Sequence, residues 1–363
     1  MMSEGKKEKG VTIEEQIGKY HQSIFGFNTM LILGAGCKIG IFDYLYEKGK
    51  SSTQDKITSI TFTPEEIILN LKLSPFYLDG WLHMAVACGI FELEDSCERC
   101  LISAPHIYDL FINRDSMFYK GNTAALMNIM ALNQEFLINN FKTGNTKDYR
   151  DFPPEDCKNG QVAIAIGGAK IEQLFSNRKA DFQMKFMNNG LFLEVGCGYG
   201  FNLEAWVKKY EKVKFVGIDI DPNGIAEAKK LIQKKGWEDR VELIEVSVSD
   251  YAKTNSNKFD LIMLKQVLHE MDSNENYRRQ ALEDIYTMLK DDGILIIGEN
   301  MIPDLFKSRN EVNFLQILHK MLDLPFGSRF YDDDTFKELI YSTSFKKAEK
   351  IEGDDIYFWA ITK

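Results

Sequence analysis

Residues 191–202 read LFLEVGCGYGFN, an apolar run with one acid, Glu194, passing into the alternate glycines Gly196, Gly198 and Gly200. The run predicts a buried strand over Leu191–Val195, with the glycines at its carboxyl end. Alternate glycines let the chain turn tightly into a helix while backbone N–H groups approach a ligand with no Cβ between them. A dinucleotide site wants G-x-G-x-x-G, and its third glycine would fall on Phe201. The spacing here is E-x-G-x-G-x-G, which disfavours a nicotinamide-dependent oxidoreductase.

Outward from this stretch, short apolar runs alternate with helical ones: VKFVGIDI, VELIEVSV, FDLIML and GILIIGE. That alternation predicts a doubly wound α/β sheet of buried parallel strands. SFKKAEKI and DIYFWAITK, separated by EGDD, close the chain as an antiparallel hairpin at the sheet edge. The second strand ends at Asp219, followed by Ile220, and an acid there accepts hydrogen bonds from ribose hydroxyls. The third ends in VSVSDY, which places Asp250, beside Tyr251, to accept the exocyclic amine of adenine. Carboxylates repel phosphates, so Glu194, Asp219 and Asp250 suit a neutral or cationic nucleoside. S-adenosylmethionine, with its sulfonium and ammonium, has that chemistry.

FLEVGCGYG, FVGIDIDP, VSD and the closing hairpin resemble a class I S-adenosylmethionine-dependent methyltransferase over residues 188–363. KIGIFDYL, LHMAVACGIFELE and LKQVLHEMDSNENYRRQALEDIYTMLKDDGILIIGENMIPD extend the likeness to nearly the whole chain. There it is similar to small-molecule O-methyltransferases of the plant caffeic-acid type and their bacterial relatives in natural-product pathways. The resemblance implies a Rossmann-like domain, its mostly parallel seven-stranded sheet ending in an antiparallel hairpin, behind a mainly α-helical winged-helix domain that makes a homodimer. It implies S-adenosyl-L-methionine as cofactor, held by Glu194, Gly196, Gly198, Gly200, Asp219, Ile220, Asp250, Tyr251 and Lys265. The implied acceptor is a hydroxylated, aromatic small molecule, methylated on oxygen. C- or N-methylation, or a non-methylating cofactor-binding role, are the alternatives on the same scaffold.

FDLIML runs into KQVLHEMD, which sets His269 just past the fourth strand on the cofactor side of the sheet. A neutral imidazole, with a reference pKa of about 6.5, suits removal of a proton from an oxygen nucleophile near neutrality. Glu299 closes the fifth strand in LIIGEN, placed to fix the ring's tautomer, and Glu270 is adjacent in sequence. In the resembled family the histidine of an LHDW element is the base, which matches His269. Here the element is LHEM, with Glu270 and Met271 in place of the Asp-Trp pair. The family's second bracketing glutamate has no clear counterpart in GSRFYDDDTFKEL, where Asp332, Asp333 and Asp334 are the acids on offer. His319 in NFLQILHKML reads as a core or interface residue, and no metal is expected.

The chain's 363 residues exceed one compact core and suit two domains. Residues 1–10 read as a polar tail with no apolar leader. Residues 11–106 read as helices and a two-stranded wing, a winged-helix dimerisation domain, with Thr63 and Ser74 before Pro64 and Pro75 as helix starts. Residues 107–187 read as a helical connector contributing to the substrate pocket, its Phe118, Tyr119, Met127 and Met130 suiting a hydrophobic acceptor although such residues at helical spacing are more often core than pocket, and 188–363 as the catalytic domain. The net charge of -10, and the lack of Lys or Arg from Leu73 to Glu98, disfavour a winged-helix DNA-binding regulator. Phe76, Trp81, Met84, Val86 and Ile90 suit a subunit interface instead, and His83 suits packing. Cys37, Cys88, Cys97, Cys100, Cys157 and Cys197 read as reduced thiols, and no apolar run reaches membrane-spanning length. The expectation is a cytoplasmic protein with no nucleic-acid or membrane partner.

Overall fold

Thr12 opens helix α1 (Ile13–Lys38) with a reciprocal cap: its hydroxyl accepts from the Glu15 N–H at 3.2 Å, and the Glu15 carboxylate accepts from the Thr12 N–H at 3.0 Å. The computed structural model in which this is seen describes residues 11–51, 57–116, 118–151, 153–272, 274–304, 306, 314–354 and 356–363. Gly40, at φ 82°, turns the chain into α2 (Ile41–Lys50). Strand β1 (Thr61–Phe62) leads into α3 (Pro64–Leu71), capped by Thr63 with Pro64 in the first turn, as the sequence predicts. Next come α4 (Pro75–Ala87), β2 (Phe91–Leu93) and β3 (Leu101–Ser103). The sheet is antiparallel in the order β1-β3-β2, so the expected two-stranded wing carries a third strand. Two residues are too few to show a period.

These elements belong to the first of two units, Met1–Leu132 and Asn133–Lys363, with α5 (Gly121–Asn140) crossing the division. The core of the first unit gathers Phe42, Phe62, Trp81 and Phe91, and the indole N–H of Trp81 donates to the Ile32 carbonyl at 3.1 Å. Trp81 and Ile90, expected at an interface, are therefore core residues, while Phe76 and Met84 are exposed. His83 is exposed rather than packed. Cys97 and Cys100 form a disulfide, which corrects the expectation of six free thiols. The turn linking β2 to β3 brings their Cα atoms to 5.3 Å, within bridging range. No single helix among the described residues is long and apolar enough to cross a membrane; α1 and α2 pass that test only as a pair bent by 64°.

In the second unit, α6 (Pro154–Arg178) and α7 (Ala180–Phe186) precede the alternating part. That part runs β4 (Leu191–Val195), α8 (Phe201–Lys209), β5 (Lys214–Asp219), α9 (Pro222–Lys235), β6 (Val241–Glu245), α10 (Val248–Ala252) and β7 (Phe259–Lys265). It continues through α11 (Glu275–Met288), β8 (Leu289–Gly298), α12 (Phe314–Asp323), α13 (Asp333–Tyr341), β9 (Lys347–Glu352) and β10 (Tyr357–Thr362). The seven-stranded sheet has the order β6-β5-β4-β7-β8-β10-β9, parallel except for β10, which runs antiparallel to both β8 and β9. Apolar side chains cover both faces: Leu193, Ile262 and Leu295 on one, Phe192, Leu261 and Ile296 on the other. Strand order reverses between β4 and β7, and the crevice outside their carboxyl ends is where such sheets bind ligands.

Candidate active site

The glycine stretch lies in that crevice. Gly196, Gly198 and Gly200 have φ of 72°, 47° and 77°, so the turn itself demands residues without a Cβ. Packing adds to the demand: a Cβ on Gly196 would come within 2.5 Å of Val267, and one on Gly198 would collide with the Gln161 amide. The glycines therefore serve the fold of the loop before they make room for any ligand. Asp219, at the end of β5, holds the loop, one oxygen accepting from the Gly198 N–H at 2.7 Å and the other from the Asp221 N–H at 2.8 Å. Burial raises the Asp219 carboxyl above its usual range, although these backbone donors oppose the shift.

Glu194 is fully buried, and among the described residues neither carboxylate oxygen has a hydrogen-bond partner. Burial pushes its pKa up to about 8, the Asn202 amide and the Lys265 charge offsetting only part. An orphaned buried carboxylate beside a glycine turn fits a ligand that brings an ammonium. Lys265, buried at the end of β7, is pushed down to about 8 by burial against the pull of Glu194 and Glu299. Ile220, 58% exposed next to Asp219, offers an apolar surface for a base. S-adenosylmethionine thus fits Glu194, the glycine loop, Asp219 and Ile220.

Asp250 and Tyr251 lie beyond the third strand rather than at its end. The third strand ends at Glu245, and both residues sit in α10. Asp250 is exposed, paired with Lys253 at 2.6 Å and accepting from the Ser247 hydroxyl at 2.8 Å. Tyr251 is buried in the core against Phe259. The sequence VSVSDY carries a helix cap, Ser247, which the apolar alternation masks.

His269 is buried just beyond β7, its two ring nitrogens facing two carboxylates. Nδ1 lies 2.5 Å from Glu299 Oε2, and Nε2 lies 3.1 Å from Asp323 Oδ2. The other Glu299 oxygen accepts the backbone N–H groups of Val267 and Leu268 at 2.9 and 2.7 Å, which keeps that carboxylate ionised and makes Nδ1 the donor. Burial opposes charge on the ring, but Glu299 and Asp323 together outweigh it and hold His269 well above its usual range. Glu270 is exposed and hydrogen-bonds to neither ring nitrogen, though its charge adds to the pull that raises the ring.

The acid on the far side of His269 is thus Asp323, at the end of α12. Asp332 caps α13, Asp333 pairs with Lys350 at 2.7 Å and Asp334 is exposed. His319 joins the group, its Nε2 2.9 Å from Asp323 Oδ2 and its Nδ1 2.7 Å from the Asn300 side-chain amide. The ring of Phe330 stacks on His269 at 4.6 Å. Arg278, fully buried on α11, donates to the carbonyls of His269, Met271, Asp272 and Arg329 and to the Tyr331 hydroxyl, tying the His269 loop to the segment bearing Phe330. Sequence reading missed Asp323, Phe330 and Arg278. An Arg on the apolar face of a predicted helix was the one usable signal.

Of the connector residues named from the sequence, Phe118 is exposed and Tyr119 and Met127 are half-buried, while the Met130 side chain lies outside the described residues.

Residues 193–295 match the family model of a methyltransferase domain. A curated relative, the uncharacterised protein RP028 of Rickettsia prowazekii, is 27% identical over 127 residues, or 35% of this chain and 49% of that protein. The chain therefore spans about half the length of the curated relative it matches. Among solved structures, human N-acetylserotonin methyltransferase in complex with S-adenosylmethionine superposes with a TM-score of 0.72 at 16% identity, covering 99% of each chain. An O-methyltransferase family protein from Burkholderia thailandensis gives 0.67 at 15% identity, covering 96% of this chain and 97% of its own. The N,N-8-amino-8-demethyl-D-riboflavin dimethyltransferase of Streptomyces davawensis gives 0.65 at 15% identity, covering 97% and 100%. Identities this low establish a shared fold.

Proposed function

We propose that this chain, which carries a methyltransferase domain, is a class I methyltransferase that transfers a methyl group from S-adenosylmethionine to the hydroxyl of an aromatic small molecule. Bound in the crevice, S-adenosylmethionine would supply a methyl group on a positively charged sulfur that is already a good leaving group. Glu194 would hold the ammonium of the cofactor, Asp219 the ribose and Ile220 the base, with Lys265 as a further residue of the cofactor site. His269 takes the proton from the acceptor oxygen through Nε2, while Glu299 holds Nδ1–H and stabilises the imidazolium that forms. Asp323 stands on the Nε2 side, so an acceptor entering there takes over its place as hydrogen-bond partner. The Phe330 ring over the imidazole favours a flat, apolar acceptor.

The observation that carries this reading is the buried His269–Glu299 pair, set at the strand end next to the glycine loop. The test uses wild type and His269→Ala with S-adenosylmethionine and a panel of phenols and hydroxylated polyketides. Loss of methyl transfer with cofactor binding retained supports it. Equal turnover by the variant sinks it.

A homodimer through the first unit is part of the same reading. Ile13, Ile17, Tyr20, Ile24 and Phe25 lie exposed along α1, and a cavity of about 310 Å³ opens between His21, Ile24, Phe25, Asn28, Met84, Ala87 and Cys88. Light scattering across a dilution series checks it: a monomer mass at all concentrations refutes the dimer. A cytoplasmic location is supported by the free thiols Cys37, Cys88, Cys157 and Cys197, and the Cys97–Cys100 pair is the group a reducing milieu would open.

A further inference from the structure

We propose that His269, His319 and Asp323 bind a first-row divalent metal ion of the zinc class, and that the ion silences methyl transfer by taking the ring nitrogen the base needs. The binding claim stands on geometry alone; the silencing claim rests on the reading of His269 as base. The ligand atoms of the three residues all lie within 4.8 Å of one another, with Asp323 Oδ2 3.1 Å from His269 Nε2 and 2.9 Å from His319 Nε2. Metal–ligand bonds of about 2.0–2.2 Å in a tetrahedral site put ligand atoms roughly 3.3 Å apart, so small shifts admit an ion. Two imidazoles and one carboxylate suit zinc, cobalt or nickel over magnesium or calcium, which prefer all-oxygen shells.

The residues behind the ligands point the same way. The far nitrogen of each imidazole is held by its own partner, His269 Nδ1 by Glu299 at 2.5 Å and His319 Nδ1 by the Asn300 amide at 2.7 Å. These partners are adjacent, at the end of β8, and they fix both rings so that the Nε2 atoms converge on one point. Carboxylate and amide groups behind ligand histidines orient the rings in metal sites in this manner. Asn300 Nδ2 faces His319 Nδ1 in the structure, and turning the amide over, so that its oxygen accepts from Nδ1–H, gives His319 a lone pair at Nε2. His319 and Asp323, four residues apart on α12, share one helix face. The side chains of His269, Asp323 and His319 are 1%, 9% and 17% exposed, a setting that shields the site yet leaves His319 as a way in. Together Asp323 and Glu299 balance the ion's double charge.

The test is a cobalt(II) titration of the full, untagged chain after dialysis against a chelator, without acceptor. One equivalent should give the intense visible bands of a four-coordinate site, displaced by zinc. His319→Gln should abolish the bands, and Asn300→Ala should weaken binding about 10–100-fold. Unchanged S-adenosylmethionine affinity in both variants shows that they are folded. In turnover assays saturating zinc should cut the wild-type rate at least about a hundredfold, with recovery on chelation and resistance in His319→Gln. No cobalt bands, or the same bands in His319→Gln, overturn the site. Bands without zinc inhibition overturn the silencing. Full turnover by His269→Ala instead overturns the base reading and leaves the metal result standing.

Discussion

Two buried acids a few residues from the same crevice have opposite circumstances. Glu194, at the end of β4, is buried with no hydrogen-bond partner among the described residues and has its pKa pushed up to about 8. Glu299, at the end of β8, has two backbone donors and an imidazole on its carboxylate, and its pKa is lowered. Burial is the same cost for both, so the difference lies in what each is for. A buried carboxylate short of hydrogen-bond donors is one that a cationic ligand would complete, whereas one fully engaged orients a neighbour. The contrast separates the residues that would hold the cofactor from those that would move the proton.

The largest effect should come from breaking the engaged side. His269→Ala should lose at least about a hundredfold in kcat while keeping cofactor affinity, measured by steady-state kinetics and calorimetry on the same samples. On the other side, Glu194→Gln should weaken cofactor binding about 10–100-fold, since a charged hydrogen bond to the ammonium is worth about 1.5–3 kcal/mol. Without cofactor the same variant should melt no lower than wild type. If it melts much lower and binds normally, Glu194 is a structural acid.

The pH responses should run in opposite senses. An acid raised from 4.5 to about 8 in the fold loses its stabilising contribution as pH climbs through that window, because the native state holds a proton that the unfolded chain has given up. Glu194→Gln should therefore flatten the fall in cofactor-free stability over that range, as read by denaturant titration. His269, raised above 6.5, contributes stability that is complete below 6.5 and fades as pH rises through its folded value. Glu299 and Asp323, both lowered, contribute at neutral pH and lose it on acidification. On the proposed reading His269 must be neutral to act as base, so kcat/KM should rise through an acidic limb lying above 6.5. Asp323→Asn should move that limb downward; an unmoved limb removes Asp323 from the proton-transfer group.

The smallest effect should follow reduction of Cys97–Cys100. A loop this short limits the gain to about 2 kcal/mol on chain-entropy grounds. The first unit should melt slightly earlier in reductant while methyl transfer is unchanged, since neither cysteine lies in the second unit.

Much of this was legible in the residues alone. The strand LFLEV, the glycine turn, Asp219 and the closing hairpin are local patterns, set by side-chain alternation and by φ values that only glycine takes easily. His269 and Glu299 could be placed as well, because each directly follows an apolar strand whose end the sheet topology fixes. Asp250 lies in a helix rather than at the strand end: Ser247 caps α10 there, and local hydrogen bonding overrode the strand pattern. The partners of His269 were beyond reach. Asp323 comes from 54 residues away at the end of a helix, Phe330 from a loop, and Arg278 binds carbonyls that carry no sequence signature. Local chemistry chose the elements and the glycine loop. Only the tertiary fold, which brings Arg278 of α11 and Asp323 of α12 to the loop after β7, decided which groups surround the histidine, because such contacts depend on where distant segments meet rather than on what either segment is.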